Sequence, residues 1–588
     1  MNFHNTCSLI SPTFLPATRR EMDHLGWKNA DVILVSGDTY MDVPSAGTAV
    51  IGRVLADAGF RVAVIAQPDT DSEKDIAALG EPALFWGVTG GCVDSMIANY
   101  TASGKRRKSD DMTPGGLNVR RPDRAVIAYA NLIRRHFKNT CPIVLGGIEA
   151  SLRRISHYDA WSDSLRRSIL FDAKADVLVY GMGEQTVVEL AEKLRKKEDF
   201  HSLRGICYIS KELPESAFAQ QDMELPSHAD VCRDQQEFIR MFQMFYENAD
   251  PFTAARLFQK QDTRWVVQNP PQLPLSPLEL DRIYELPYTR DVHPLHKENG
   301  VVKALDTVRF SLTSHRGCYG ECRFCAIAVH QGRHVVSRTK ESLLGEAASF
   351  TKHSDFRGII SDVGGPTANM YAMECTRKTE KGACRDKSCL FPKICKQLPV
   401  CHDRQIDLLR ALRNLPGIRK VFIGSGIRYD LVLSDRKSGI AYLEEILEHH
   451  VSGQLKIAPE HTEDHVLKHM GKPGKKILTD FVSLFEKVKE KTGKKLFLTY
   501  YLMAAHPGCT LEDMHRLRAF AVRSLRILPE QMQIFTPSPS TWSTLMYYTG
   551  IDPFTGEKIF AEKKPSERQK HKDAVLGTKP RKMQRNQR

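Results

Sequence analysis

Between residues 31 and 200, short runs of β-branched and aliphatic side chains alternate with stretches whose apolar positions recur every three or four residues. Residues 31–38 (DVILVSGD), 61–66 (RVAVIA), 83–88 (ALFWGV), 142–147 (PIVLGG) and 175–181 (ADVLVYG) predict five buried strands. Between them, residues 46–58 place Val50, Ile51, Val54 and Leu55 on one helical face, and further helices are predicted around residues 124–137 and from Glu184. This alternation dictates an α/β unit of Rossmann type, with ligands expected at the carboxyl ends of the strands. The rhythm breaks between residues 200 and 300. There a helix near 235–246 precedes a proline-punctuated stretch (NPPQLPLSPLELDRIYELPYTRDVHP) that predicts an irregular linker.

From residue 306 to 535 the alternation resumes. Strand candidates at 308–313, 358–363, 420–424, 454–458, 495–502 and 531–535 are separated by helical patterns such as Ile477, Leu478, Phe481, Val482, Phe485 and Val488. Six βα units in one parallel series predict a partial (β/α)6 barrel whose working residues lie at the strands' carboxyl ends. The expected divisions are a Rossmann-like unit (1–200), a linker region (201–300), a barrel (301–545) with a Cys-rich insertion (366–402), and a C-terminal extension with a basic tail (546–588).

Composition narrows the class. A chain of 588 residues with 41% apolar and 26% charged residues reads as a soluble globular protein of several domains. No apolar run approaches the ~20 residues that span a bilayer, and the first residues lack a secretory pattern, so the expected location is the cytoplasm, away from membranes. Of the 14 cysteines, eight lie between Cys318 and Cys401, which points to metal binding in a reducing compartment rather than to disulfides. Half of the net charge of +14 sits in residues 561–588, which are poor in apolar residues and expected to be disordered. That tail reads as a solubilising segment or as salt-dependent affinity for RNA.

The densest chemistry lies at residues 311–333 (SLTSHRGCYGECRFCAIAVHQGR), where Cys318, Cys322 and Cys325 form C-x3-C-x2-C directly after the first barrel strand. Four thiolates close a structural zinc or an ordinary iron–sulfur cluster, so a dense triplet suggests a cluster with one iron open to a non-protein ligand. A zinc knuckle completed by His315 or His330 is the competing reading. A second set, Cys375, Cys384, Cys389, Cys395 and Cys401, occupies an insertion with little apolar sequence, where a metal is the natural staple. Its wide spacing suits an auxiliary iron–sulfur cluster, with zinc as the alternative.

The triplet, with Phe324 just before its last cysteine, resembles the signature of the radical S-adenosylmethionine (SAM) enzymes, and its surroundings resemble the YgiQ family of that class over residues 30–560. The resemblance implies a [4Fe-4S] cluster on Cys318, Cys322 and Cys325, SAM on the fourth iron, and reductive cleavage to a 5′-deoxyadenosyl radical, without naming a substrate. It implies a SAM site built from Phe324, the Gly364-Gly365 pair, Ser425, Arg428 and Glu460, and an electron donor such as flavodoxin or ferredoxin. It also implies that the N-terminal unit is built like a cobalamin-binding domain. The D-x-H-x-x-G turn of such domains is here Asp42-Val-Pro44-Ser-Ala-Gly47, and proline cannot ligate cobalt, so the expectation is against cobalamin. The rival function is a non-catalytic iron–sulfur or zinc protein that binds nucleic acid through the paired arginines of residues 149–167 and the basic tail.

Overall fold

The structure is a computed structural model that describes residues 13–213, 215, 218, 221–384 and 387–576. A nine-stranded sheet forms its N-terminal half: β1 (Val32–Ser36), β2 (Val62–Ala66), β3 (Phe85–Thr89), β4 (Ile143–Gly146), β5 (Val177–Val179), β6 (Ile206–Ser210), β7 (Met223–Leu225), β8 (Leu257–Gln261) and β9 (Arg264–Gln268), in the order β2-β1-β3-β4-β5-β6-β9-β8-β7. The first five are parallel, as the α/β alternation requires. Alternate side chains divide between two cores: Val32, Leu34, Val62 and Val64 pack on one face, Ile33, Val35, Ala63 and Ile65 on the other. Helices cover both faces, which is why these strands read as continuous apolar runs.

Residues 201–300 are not the irregular linker that the prolines predict. They supply β6 to β9, which extend the N-terminal sheet with β5–β6, β6–β9 and β9–β8 antiparallel. Hydropathy conceals β8 and β9 because amides share their buried positions with Leu257, Val266 and Val267. Gln259, Gln261 and Gln268 are buried, and Gln259 and Gln261 accept hydrogen bonds from the backbone N–H groups of Ser156 (3.0 Å) and Ser168 (2.9 Å). A buried amide so satisfied is tolerated within a sheet.

The C-terminal half is the partial barrel. β10 (Ser311–Thr313) pairs with β12 (Asp362–Gly364), and β11 (Ile359–Ile360) with β13 (Lys420–Val421). A parallel bridge, Ile427 to Ile457, then leads to β14 (Gln454–Glu460), β15 (Phe497–Ala504) and β16 (Gln533–Ile534), all parallel. Val308 belongs to the helix Ala304–Val308 rather than to the first strand. The helix Lys475–Thr492 buries Leu478, Phe481, Phe485 and Val488 at helical spacing and stops at Gly493, whose φ of +63° continues no helix.

The C-terminal extension is ordered to residue 576. Helix Pro565–Leu576 buries Val575 in the core of Met514 and Leu517, so disorder from residue 561 is not what the structure shows; residues 577–588 lie outside those described. Among the described residues no helix is long and apolar enough to cross a membrane.

Candidate functional site

The carboxyl ends of the two parallel series face each other across a cavity of about 570 Å³. Asp38, Gly91 and Gly147 line it from the N-terminal sheet, Thr313, His315 and Gly365 from the barrel. Gly365 is a steric requirement: a Cβ there would lie 2.6 Å from both the Nε2 and the carbonyl oxygen of His315.

The cysteine loop leaves β10 through a two-residue hairpin in which His315 and Arg316 pair with Ser337 and Val336. Cys318 and Cys322 flank Gly320, where a Cβ would lie 3.2 Å from Cys318 Sγ and 3.6 Å from Cys322 Sγ, and Cys325 is near enough to both to feel their charge. Gly320 N–H donates to Cys318 Sγ (3.3 Å) and Arg428 Nη1 to Cys322 Sγ (3.6 Å). Burial pushes the Cys318 thiol up to about 11 and the Cys325 thiol up to about 12, and the neighbouring Cys322 adds to both. Crowding and loss of solvent thus oppose ionisation of Cys318 and Cys325. A bound cation reverses that balance, so the donor set fits a metal cluster. Among the described residues no three donors stand at the spacing of a single metal ion, at either cysteine set.

The other predicted site residues divide. Gly364 and Gly365 line the cleft at the end of β12. Glu460 lies at a register shift in β14 with φ +69°, a conformation rare outside glycine, and its carboxylate is 4.0 Å from Lys472 Nζ. Burial raises its pKa, and it is close enough to Cys325 to act on that thiol. Ser425 is already engaged: its N–H donates to Asp362 Oδ1 (3.0 Å) and its hydroxyl to Asp362 Oδ2. Arg428 forks onto Asp430, with Nε–Oδ1 at 2.9 Å and Nη2–Oδ2 at 2.5 Å, so its free edge meets a cysteine sulfur rather than a ribose. Phe324 packs between two apolar clusters with its ring 6.3 Å from that of His506.

The second cysteine set does not converge as five. Cys375, Cys389 and Cys395 share one apolar cluster with Tyr319, the residue after Cys318, whose hydroxyl accepts from Cys375 N–H (3.2 Å). Cys384 instead contacts Arg377, and Cys401 lies 3.7 Å from Ser438 Oγ.

At the turn that carries Pro44, Asp42 is fully buried, paired with Arg53 and accepting from Thr289 N–H (2.8 Å). Three of the four paired arginines of the nucleic-acid reading are engaged by carboxylates of the same chain: Arg153 on Asp94, Arg166 on Asp172 and Arg167 on Asp262.

Sequence reasoning assigned no site role to Glu184, Arg316 and Gln331 of the cleft wall, and weighed His315 and His330, which also line it, only as zinc ligands. Arg316 Nη1 pairs with Glu184 Oε1, leaving Glu184 Oε2 without a partner, as is His315 Nε2. The signal was their position at strand ends flanking the cysteine loop. Burial lowers the pKa of both His315 and His330 to about 4. The unfolded chain therefore takes up protons below about pH 6.5 that the folded chain refuses. Stability is expected to be full above pH 6.5 and to decline as pH falls towards 4, by roughly 3 kcal/mol for each histidine. Urea midpoints at pH 7.5, 5.5 and 4.5 check this, and His315→Gln should flatten the slope.

The radical SAM N-terminal family matches residues 14–311. A UPF0313 protein of Fusobacterium nucleatum subsp. nucleatum is 54% identical over 563 residues, covering 96% of this chain and 98% of that protein. A UPF0313 protein of Thermotoga neapolitana is 49% identical over 566 residues, covering 96% and 98%. Two solved structures are similar at 14% identity: the radical SAM methyltransferase TsrM from Kitasatospora setae with cobalamin and a [4Fe-4S] cluster bound (TM-score 0.48; 87% of this chain, 77% of that one), and the cobalamin-dependent SAM radical enzyme OxsB with aqua-cobalamin bound (TM-score 0.47; 92% and 58%). Both of those proteins bind cobalamin, which conflicts with the expectation against it. Pro44 removes a lower axial histidine and nothing more: the cleft beside it remains, and Gly47 of the same turn has nothing within 4 Å of its Cβ position.

Proposed function

This chain belongs to the UPF0313 family of radical SAM proteins, and from that premise we propose that Cys318, Cys322 and Cys325 hold a [4Fe-4S] cluster that cleaves SAM reductively, fed by a donor such as flavodoxin or ferredoxin. When bound, the cluster supplies one electron to the SAM sulfonium and so releases a 5′-deoxyadenosyl radical for hydrogen abstraction. The observation that supports this most is convergence: the three thiols, Gly364, Gly365 and Glu460 come from the carboxyl ends of one parallel strand series.

The chain's own residues divide the work. Gly364 and Gly365 present bare backbone to the amino-acid end of SAM, and Glu460 offers a carboxylate acceptor to its ammonium or ribose hydroxyls. Arg428, held by Asp430, donates towards Cys322 Sγ, and hydrogen bonds to cluster sulfurs raise a cluster's potential. Ser425 acts through its backbone and fixes the β12–β13 junction on Asp362. A second metal centre, within this reading, uses Cys375, Cys389 and Cys395. The nucleic-acid alternative is weakened, because three of its four paired arginines are already bound to carboxylates of the chain and the fourth, Arg154, is buried.

The test is anaerobic. Wild-type protein reconstituted with iron and sulfide, reduced and given SAM is expected to produce 5′-deoxyadenosine. No product from chains carrying four irons at the triplet would sink the reading.

A further inference from the structure

Beside the main cleft lies a smaller cavity of about 110 Å³, walled on one side by Pro271 and Pro274 of the proline-rich stretch. It shares Glu184, Arg316, His330 and Gln331 with the cleft, so the two are neighbours across one row of side chains. Arg154 also lines it and is 2% exposed. Its guanidinium packs on the rings of Tyr180 and Phe245, at 4.5 and 4.4 Å. Nε donates to Gln268 Oε1 (2.9 Å) and Nη1 to the Ser151 carbonyl (2.6 Å). These bonds leave one N–H on Nη1 and two on Nη2 along the planar edge.

Among the described residues no carboxylate pairs with this guanidinium. Equally buried arginines are treated differently: Arg121 sits on Asp38, Arg338 on Glu346 and Arg428 on Asp430. Burial accordingly lowers the pKa of Arg154, opposed only by Tyr180 and Cys207. The carboxylate that faces the cavity, Glu184, is neutralised by Arg316, and His334 is paired with Asp250. His330, with Nδ1 3.2 Å from Ser151 Oγ, is held neutral by burial. The cavity therefore carries one uncompensated positive charge behind a three-hydrogen edge. A buried cation without a counter-charge is costly, and a planar guanidinium edge matches a pair of anionic oxygens.

We propose that this cavity is an anion subsite, in which Arg154, with His330 at the rim, binds a carboxylate or phosphate group of the substrate whose remainder extends into the cleft towards the Cys318 loop. The orientation towards the cysteine loop rests on the radical SAM reading; the anion site does not. Aromatic stacking fixes the guanidinium before the ligand arrives, so binding orders little that is mobile.

Neither arm of the test needs iron, reductant or SAM, so its failure is distinct from failure of the radical reading. Calorimetric titration of the full chain with inorganic phosphate and, separately, with acetate at constant ionic strength is expected to show one saturable site. That site should weaken at least tenfold in Arg154→Gln and stay unchanged in Arg166→Gln, whose arginine is paired on the surface. Phosphate alone assigns a phosphate ester, acetate alone a carboxylate, and binding of both the shared oxyanion geometry. Because Arg154 also supports the Tyr180–Phe245 stack, the second arm uses wild-type crystals soaked in selenate, with an anomalous peak expected at the Arg154 edge. Absence of binding by wild type, equal binding by Arg154→Gln, a selenate peak only elsewhere, or a peak without saturation in solution would each overturn the assignment.

Discussion

Cys318→Ala is expected to lose iron–sulfur loading and SAM cleavage together, with 5′-deoxyadenosine falling to the level of a protein-free blank. The loss is complete rather than partial because the triplet already leaves one iron without a protein ligand, and a cluster held by two thiolates has no third anchor. Nearby histidines are directed elsewhere: His315 Nε2 faces Gly365, 2.6 Å from its Cβ position, and His330 Nδ1 lies 3.2 Å from Ser151 Oγ. Iron and sulfide analysis of the reconstituted protein reads loading directly. A Cys375→Ala/Cys389→Ala variant separates the second set. Four irons and active cleavage in that variant would assign those cysteines to packing around Tyr319 or to a separate centre. Full loading of Cys318→Ala would refute the ligand assignment.

Much of this architecture was legible because periodicity reports burial. The five parallel strands of the N-terminal unit appear within two or three residues of their predicted ends, since each is buried on both faces and reads as an unbroken apolar run. Strands β8 and β9 were invisible for the converse reason: LFQKQ and RWVVQ bury amides whose partners are distant in sequence, and no local pattern encodes a hydrogen bond from the Ser156 N–H to Gln259. The cysteine triplet was legible because its ligands are local. Arg428 was not, because its choice between ribose, Asp430 and Cys322 is made by the approach of two loops 106 residues apart. The same limit applies to Arg154, which sequence grouped with exposed arginines although its stacking partners come from two other elements. Pro44 is a limit of another kind: a single residue reports whether one ligand bond can form and leaves the shape of the cleft unread.

Gly317→Ala is expected to cost about 3 kcal/mol or more, combining left-handed strain of roughly 1–2 kcal/mol with overpacking of roughly 1–3 kcal/mol, and to reduce cluster loading at least tenfold. Gly317 has φ +79°, and a Cβ there would lie 1.7 Å from the His334 carbonyl oxygen, a backbone atom that no rotamer change can move. Neither side of the contact can yield easily. Arg316, one residue before, is tied to Glu184 and to the Tyr284 hydroxyl (3.1 Å), while the His334 ring is tied to Asp250 (2.7 Å). The displacement therefore passes into Cys318, the next residue, and spreads the sulfurs. Gly332→Ala is the matched control, since Gly332 has φ +88° and nothing within 4 Å of its Cβ position, so it carries the left-handed strain without the overlap. Urea midpoints and iron per chain for the two variants isolate the overlap. If Gly317→Ala loads iron as Gly332→Ala does, the close approach of the cysteine loop to His334 is not what positions the cluster ligands.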